Sequence, residues 1–203
     1  MATVYFVRHA QPEFSWADDK TRPLTNEGIA DSEKVCEALK DVKLTYAISS
    51  PYKRSIETIK HCAESHGLKI DTDERFRERK KGFNGNNLGM FQKRWEDFDY
   101  HEEGGESLRS VQERNISALF ELLDSHPKDT IILGTHGTAL STILNYFDHS
   151  YNCDSFLRMI DFMPYVIRLD FDGREWLGEG QRLAVSSTLL IIEFIIVNIK
   201  VGC

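Results

Sequence analysis

The chain predicts an α/β fold, a three-layer α/β/α sandwich on a mainly parallel sheet, and three observations lead there. Short β-branched apolar runs, "TVYFV", "LTYAIS" and "DTIILG", each stop at a polar turn with a helical pattern beyond it. These runs are apolar at consecutive rather than alternating positions, as strands covered on both faces require. No internal repeat, linker or low-complexity stretch breaks the strand and helix alternation, and 203 residues suit one domain with a full core.

The elements follow in order. "TVYFVRHAQPEF", residues 3–14, is a strand through Val4, Tyr5, Phe6 and Val7 that stops at Arg8-His9. A polar pair at that point stands at the carboxyl end of the strand, where open parallel sheets bind ligands. A loop through Pro12 and Pro23 leads to "LTNEGIADSEKVCEALK", a helix capped by Thr25 with Ile29, Val35, Ala38 and Leu39 on its apolar face. "LTYAISSPYKRSIETIKHCAESHG" reads as a strand to about Ile48, then Ser50 as N-cap, Pro51 at the first helical position, and a helix ending near Gly67. Residues 72–105 are charged, glycine-rich and weakly periodic, so long loops or a small cap over the sheet are expected.

"SLRSVQERNISALFELLDSH" is a helix with Ser107 near its start, and "DTIILGTHGTALSTILNYF" is again strand, turn and helix, with His136 at the turn. "PYVIRLDFDGREW" alternates around Asp172-Gly173 as a late strand or hairpin. This makes residues 1–181 one domain and 182–203 a separate tail. The tail is intensely apolar from Leu189 to Val201 yet interrupted by Glu193, Asn198 and Lys200. It is short of the roughly 20 apolar residues a membrane span needs, and its Ile and Val suit a strand covering a sheet edge or a contact with a second copy. A weak membrane contact is the other reading of the tail.

Composition removes whole classes. A net charge of −7 with no clustered basic face argues against nucleic-acid binding, so any anion must be caught locally. Cys36, Cys62, Cys153 and Cys203 are scattered without CxxC or zinc-ligand spacing. Met1-Ala2-Thr3 runs straight into the first strand without an export leader, so a reducing cytoplasm is expected.

If the strands beginning near Val4, Tyr46 and Ile131 are parallel neighbours, then Arg8-His9, the helix start from Ser50 to Arg54, and His136 meet at one carboxyl edge. Arg54 lies in the first turn of its helix, where a cation is disfavoured unless an anion is bound. Guanidinium groups hold phosphate oxygens bidentately, so the arrangement asks for a phosphate.

The ordered stretches "RHAQPEF", "SSPYKRSIETI", "RFRERKKG", "GGESL" and "GTHGTAL" resemble the successive motifs of the histidine phosphatase superfamily, also called the phosphoglycerate mutase-like family, across about residues 3–175. The resemblance implies His9 as the phosphorylated nucleophile, with Arg8, Arg54 and His136 around the phosphoryl group and Glu78 as acid and base. It also implies Gln11, Thr25 and Gly137 as further phosphate or substrate contacts, a small phosphomonoester as the partner, and no metal or other cofactor. The chemistry is coherent: a neutral imidazole attacks phosphorus through one nitrogen while a backbone carbonyl holds the proton on the other.

Two departures bear on substrate. Gly82 is followed by "FNGNNLG" where many relatives show Trp-Glu-Gly, and the first motif carries Ala10-Gln11-Pro12-Glu13 where mutases carry a glutamate, a serine and then Trp-Asn. The expectation is therefore a metal-independent phosphomonoesterase acting through phosphohistidine on a small phosphorylated metabolite, with selectivity from about Gly82 to Glu106. A cofactor-dependent phosphoglycerate mutase and a non-catalytic phospho-ligand-binding module are the alternatives. A metal hydrolase on His9, His136 and a carboxylate is disfavoured by Arg8 and Arg54, and by the lack of HExxH or DxD spacing. Glu106 and Ser107 read equally as a helix start or as substrate contacts; His61, His66, His101, His126 and His149 read as surface or helix-end residues.

Overall fold

Residues 4 to 7 of β1 (Ala2–Arg8) serve two cores at once. In a computed structural model, which describes residues 1–83, 87–183 and 192–195, Val4 and Phe6 point to one face of the sheet and Tyr5 and Val7 to the other. β1 is buried because it lies inside the sheet, whose order is β3-β2-β4-β1-β5-β6-β7. One half is parallel: β3 (Ile70–Thr72), β2 (Tyr46–Ser49), β4 (Thr130–Thr135) and β1. Val4 and Tyr46 both face Ile131, the neighbour relation the site needs. The other half is antiparallel, with β5 (Tyr165–Asp172) against β1, then β6 (Glu175–Leu183) and β7 (Ile192–Ile195). The sheet is thus mixed. The β5–β6 hairpin turns at Gly173, whose φ of 58° suits a residue without Cβ.

Helices α1 (Asn26–Ala38) and α2 (Lys53–Ser65) cover the face holding Tyr5 and Val7, through Val35, Leu39, Ile59 and Cys62. On the opposite face, α4 (Leu108–Ser125), α5 (Gly137–Phe147) and α6 (Cys153–Ile160) bring Leu119, Leu123, Ile143 and Phe156 onto Val4, Phe6, Ile131 and Leu133. Truncating a fully buried side chain such as Phe6 to alanine should cost about 3–5 kcal/mol.

Thr25 caps α1 as expected, its hydroxyl accepting from Gly28 N at 3.0 Å. The start of α2 needs correction: Tyr52 is the cap residue, helical structure begins at Lys53, and Ser50 and Pro51 lie ahead of it. Residues 72–105 hold more structure than expected, with a 3-10 turn at Glu74–Phe76 and helix α3 (Leu88–Glu96), capped by Asn87. The helical period of α3 is obscure in sequence because its one fully buried side chain is an arginine, Arg94. β6 runs to Leu183, past the boundary expected at residue 181, and β7 lies beside it as an edge strand. The rest of the tail, 184–191 and 196–203, is outside the described residues. Among the described residues no helix is long and apolar enough to cross a membrane.

Candidate active site

β1, β2 and β4 end in register, and the ladder continues one residue beyond them. His9 N donates to Thr135 O at 3.1 Å, and Ser50 N donates to Gly134 O at 2.9 Å. These bonds bring His9, Ser50 and His136 together at the carboxyl edge of the parallel half. The rings of His9 and His136 meet edge to face, with centroids 5.2 Å apart.

The two imidazoles are held differently. His9 Nδ1 lies 2.8 Å from Ala10 O, an atom that can only accept, so the proton sits on Nδ1 and Nε2 keeps its lone pair. Burial, with the charges of Arg54 and Arg8, drives the His9 pKa well below 6.5 against the opposing pull of the Ala10 bond, so the ring is neutral at physiological pH. His136 Nε2 is 2.8 Å from Ser50 Oγ, and burial followed by Arg54 pushes its pKa down as well. Among the described residues its buried Nδ1 has no hydrogen-bond partner.

Arg8 is anchored by Nη1, which donates to the carbonyls of Met159, Ile160 and Phe162 at 3.3, 2.9 and 2.7 Å. The carboxyl end of α6 carries unpaired carbonyls and a partial negative charge, a natural seat for a cation. Burial lowers the Arg8 pKa to about 10, leaving it charged at neutral pH. Its Nε is buried without a hydrogen-bond partner among the described residues and lies at the amino end of α5, 3.4 Å from where a Cβ on Gly137 would stand. Arg54 Nη1 donates to Asp19 O at 2.6 Å and Asp19 Oδ1 at 3.2 Å, and Arg22 donates to the same Oδ1 at 2.7 Å.

Glu78 bridges the cap to α5. Its Oε1 accepts from Arg79 N at 2.7 Å and its Oε2 from Thr138 N at 3.2 Å. The chain leading to Glu78 is clamped by Arg114 of α4, which donates to the carbonyls of Arg75, Arg77 and Glu78 at 2.6, 2.8 and 3.2 Å. Glu106 neutralises the clamp: burial alone would raise its pKa, but bonds from Arg77 and Lys80 N and the charge of Arg114 pull it down to about 2. Glu106 is thereby a structural anchor, and Ser107 is the cap of α4.

Of the remaining expected contacts, Gln11 O accepts from Thr25 N at 3.0 Å and from Thr25 Oγ1 at 3.3 Å. The Thr25 hydroxyl is thus shared between this carbonyl and the α1 cap, tying the loop after His9 to that helix. Gly137 is the first residue of α5. Five contributors went unread in the sequence: Asp19, Arg22, Tyr52, Arg114 and the His136-orienting role of Ser50. The rings of Tyr52 and His136 meet in a T-shaped contact with centroids 5.1 Å apart, and the Arg54 guanidinium carbon lies over the Tyr52 ring, 5.0 Å from its centroid. The one available signal was Ser50, whose position after an apolar strand was read as a helix cap. Among the described residues, no three His, Cys, Asp or Glu side chains are grouped to hold a metal ion.

The sequence profile of the histidine phosphatase superfamily (branch 1) matches residues 4–179. The chain belongs to the histidine phosphatase superfamily. Similar curated members of it include proteins named probable phosphoglycerate mutase GpmB. The one from Cronobacter sakazakii is 28% identical over 89% of this chain and 90% of its own length, and the one from Yersinia pestis is 29% identical over the same shares. Among solved structures, Bacillus stearothermophilus YhfR superposes with a TM-score of 0.70 at 24% identity, covering 87% of this chain and 94% of its own. Phosphoserine phosphatase from Entamoeba histolytica, solved with 3-phosphoglyceric acid, gives 0.72 at 19% identity over 87% and 94%. At these identities the superpositions establish the superfamily fold.

Proposed function

We propose that the protein is a metal-independent phosphomonoesterase that works through a phosphohistidine at His9. The observation that carries this reading is the Ala10 bond to His9 Nδ1, which leaves Nε2 as an unprotonated nucleophile inside a ring of fixed cations. Among the described residues two buried nitrogens beside it have no hydrogen-bond partner, the donor Arg8 Nε and His136 Nδ1, which carries the proton when the Ser50 hydroxyl donates to Nε2, and a buried donor left unmet is costly unless an anion meets it. A phosphate dianion supplies the acceptors.

In the first step His9 Nε2 attacks phosphorus, the P–O bond to the alcohol breaks, and the Glu78 carboxyl gives a proton to the departing oxygen. The charge on the three equatorial oxygens meets Arg8, Arg54 and His136, which their own partners already hold in place. In the second step the Glu78 carboxylate takes a proton from water, the oxygen attacks phosphorus, and the N–P bond breaks to restore His9 and release phosphate. Glu78 bonds to Thr138 N beside Gly137, close to the cations, which suits both halves.

The names of the relatives favour a second reading, transfer between positions of a phosphoglycerate. We favour hydrolysis because the loop after His9 carries Gln11-Pro12-Glu13, and Ser15 holds Glu13 as a carboxylate there, lowering its pKa through hydrogen bonds. A negative loop opposes the bisphosphate that a mutase must bind. Supplying 3-phosphoglycerate with a trace of the 2,3-bisphosphate, while following both isomers and free phosphate by ³¹P NMR, tests the choice. Phosphate release should outrun isomer exchange, and acid-labile phosphate should be trapped on the wild type and be missing from His9→Ala. Faster exchange gives the mutase, and full turnover by His9→Ala removes the nucleophile.

A further inference from the structure

The start of α2 is an unfavourable place for the two cations it carries. Lys53 and Arg54 open the helix, where the dipole repels positive charge, yet its first turn holds no acidic residue and Tyr52 makes no side-chain cap. The answer comes from another part of the chain. Residues 13–23 form a loop closed at its neck by the Pro12–Leu24 bridge and by Glu13 N, which donates to Pro23 O at 2.9 Å. The loop rests on α2. Lys53 N donates to Lys20 O at 2.9 Å, and Arg54 Nη1 donates to Asp19 O at 2.6 Å and to Asp19 Oδ1 at 3.2 Å. At the neck, Leu24 N donates to Glu57 Oε2, one turn further along the helix, at 2.9 Å. Backbone groups thus set where the loop lies.

Arg54 is fixed on two sides. Its guanidinium carbon lies over the Tyr52 ring, 5.0 Å from the centroid, and its Nη1 is taken by Asp19. Both Asp19 bonds use Nη1, so Nε and Nη2 remain for a ligand. After burial, Arg54 is the largest influence on both His9 and His136, whose pKa values it lowers, so one guanidinium acts on both imidazoles. Asp19 is itself held. Arg22 Nη1 donates to the same Oδ1 at 2.7 Å, while Arg22 Nε and Nη2 donate to Trp16 O at 3.3 and 3.1 Å. Each of the three Arg22 nitrogens bonds within the loop, which steadies the carboxylate.

We infer that Asp19 is a positioning residue: its carboxylate holds Arg54 Nη1 so that the rest of the fork is presented to the phosphoryl group, and phosphate binds without competing for that bond. What Arg54 meets rests on the phosphatase reading of the site. A carboxylate that merely stood in for phosphate would take the donors the ligand needs, whereas Asp19 takes one nitrogen and shares its oxygen with Arg22. A guanidinium oriented beforehand loses less rotamer freedom when the ligand arrives.

The readout is the dissociation constant of inorganic phosphate, measured by calorimetry on the full chain, which requires no turnover. Asp19→Ala should weaken phosphate about 10-fold, the low end for a hydrogen bond to a charged group, since the Asp19 carbonyl still anchors Nη1. Asp19→Ser, whose hydroxyl ends one bond short of Oδ1, should match it. Asp19→Asn keeps the oxygen and should stay within about 3-fold of wild type, because the charge of a half-exposed carboxylate is worth little by itself. In an Arg54→Lys background, Asp19→Ala should add less than about 2-fold, as it acts only through the guanidinium. Tighter phosphate in Asp19→Ala would make the carboxylate a stand-in for the ligand and overturn the inference. Asp19→Asn as weak as Asp19→Ala, which points to charge rather than position, overturns it too, and so does an undiminished loss in the Arg54→Lys background. If the wild type itself does not bind phosphate, the reading of the site fails and the inference falls with it; wild-type binding that Asp19→Ala leaves unchanged overturns the inference alone.

Discussion

Mild acid should destabilise this protein through His9 and His136 before the carboxylates titrate. Both rings are held neutral in the fold at pKa values well below 6.5, by burial first and then by Arg54, with Arg8 adding to both. In the unfolded chain each titrates near 6.5, so below that pH the unfolded state binds protons that the native state does not. Their contribution to stability is therefore present above about pH 6.5 and is lost as the pH falls. Between about pH 7.5 and about pH 5.5 each histidine forfeits about 1.4 kcal/mol, so the pair accounts for about 2.7 kcal/mol, a large part of the stability of an ordinary domain. Urea unfolding at the two pH values reads this directly, with His9→Gln/His136→Gln as the comparison, since glutamine does not titrate. The wild type should lose about 2.7 kcal/mol more than the double variant. Equal losses would mean that the two rings protonate in the folded protein, which would also remove the argument for a neutral nucleophile.

Glu78→Gln should slow turnover about 10²- to 10⁴-fold for esters of poor leaving alcohols and far less for p-nitrophenyl phosphate, because only the former need a proton; equal losses would take Glu78 out of the acid role. Arg54→Lys should raise both the KM for phosphomonoesters and the inhibition constant for phosphate despite keeping the charge, since an ammonium cannot span Asp19 and two phosphate oxygens together. Arg114→Met releases three carbonyls around the Glu78 segment and should lower stability by about 2 kcal/mol in urea unfolding, while reproducing the leaving-group dependence of Glu78→Gln in weaker form. A uniform rate loss across leaving groups would show Arg114 to be structural alone.

What the sequence determined by itself were the features set by neighbours along the chain. A β-branched run apolar at successive positions is a covered strand wherever it lies, and the polar residue that ends it must stand at the sheet edge. For that reason Arg8-His9 and His136 could be assigned to one edge, and the Thr25 cap and the Asp172-Gly173 turn were readable from a few residues each. The tertiary structure decided whatever depends on partners far apart. Ser50 looked like a helix cap until His136, 86 positions away, claimed its hydroxyl, and nothing in the residues around Arg114 signals the carbonyls it meets 36 to 39 positions upstream. Arg79, Arg94 and Glu102 lie in the charged, weakly periodic stretch 72–105 that hid α3, and all three are buried. Charge marks a residue as exposed only while it is unpaired, and the fold alone sets which charges pair: here Arg79 and Arg94 both bond to Glu102.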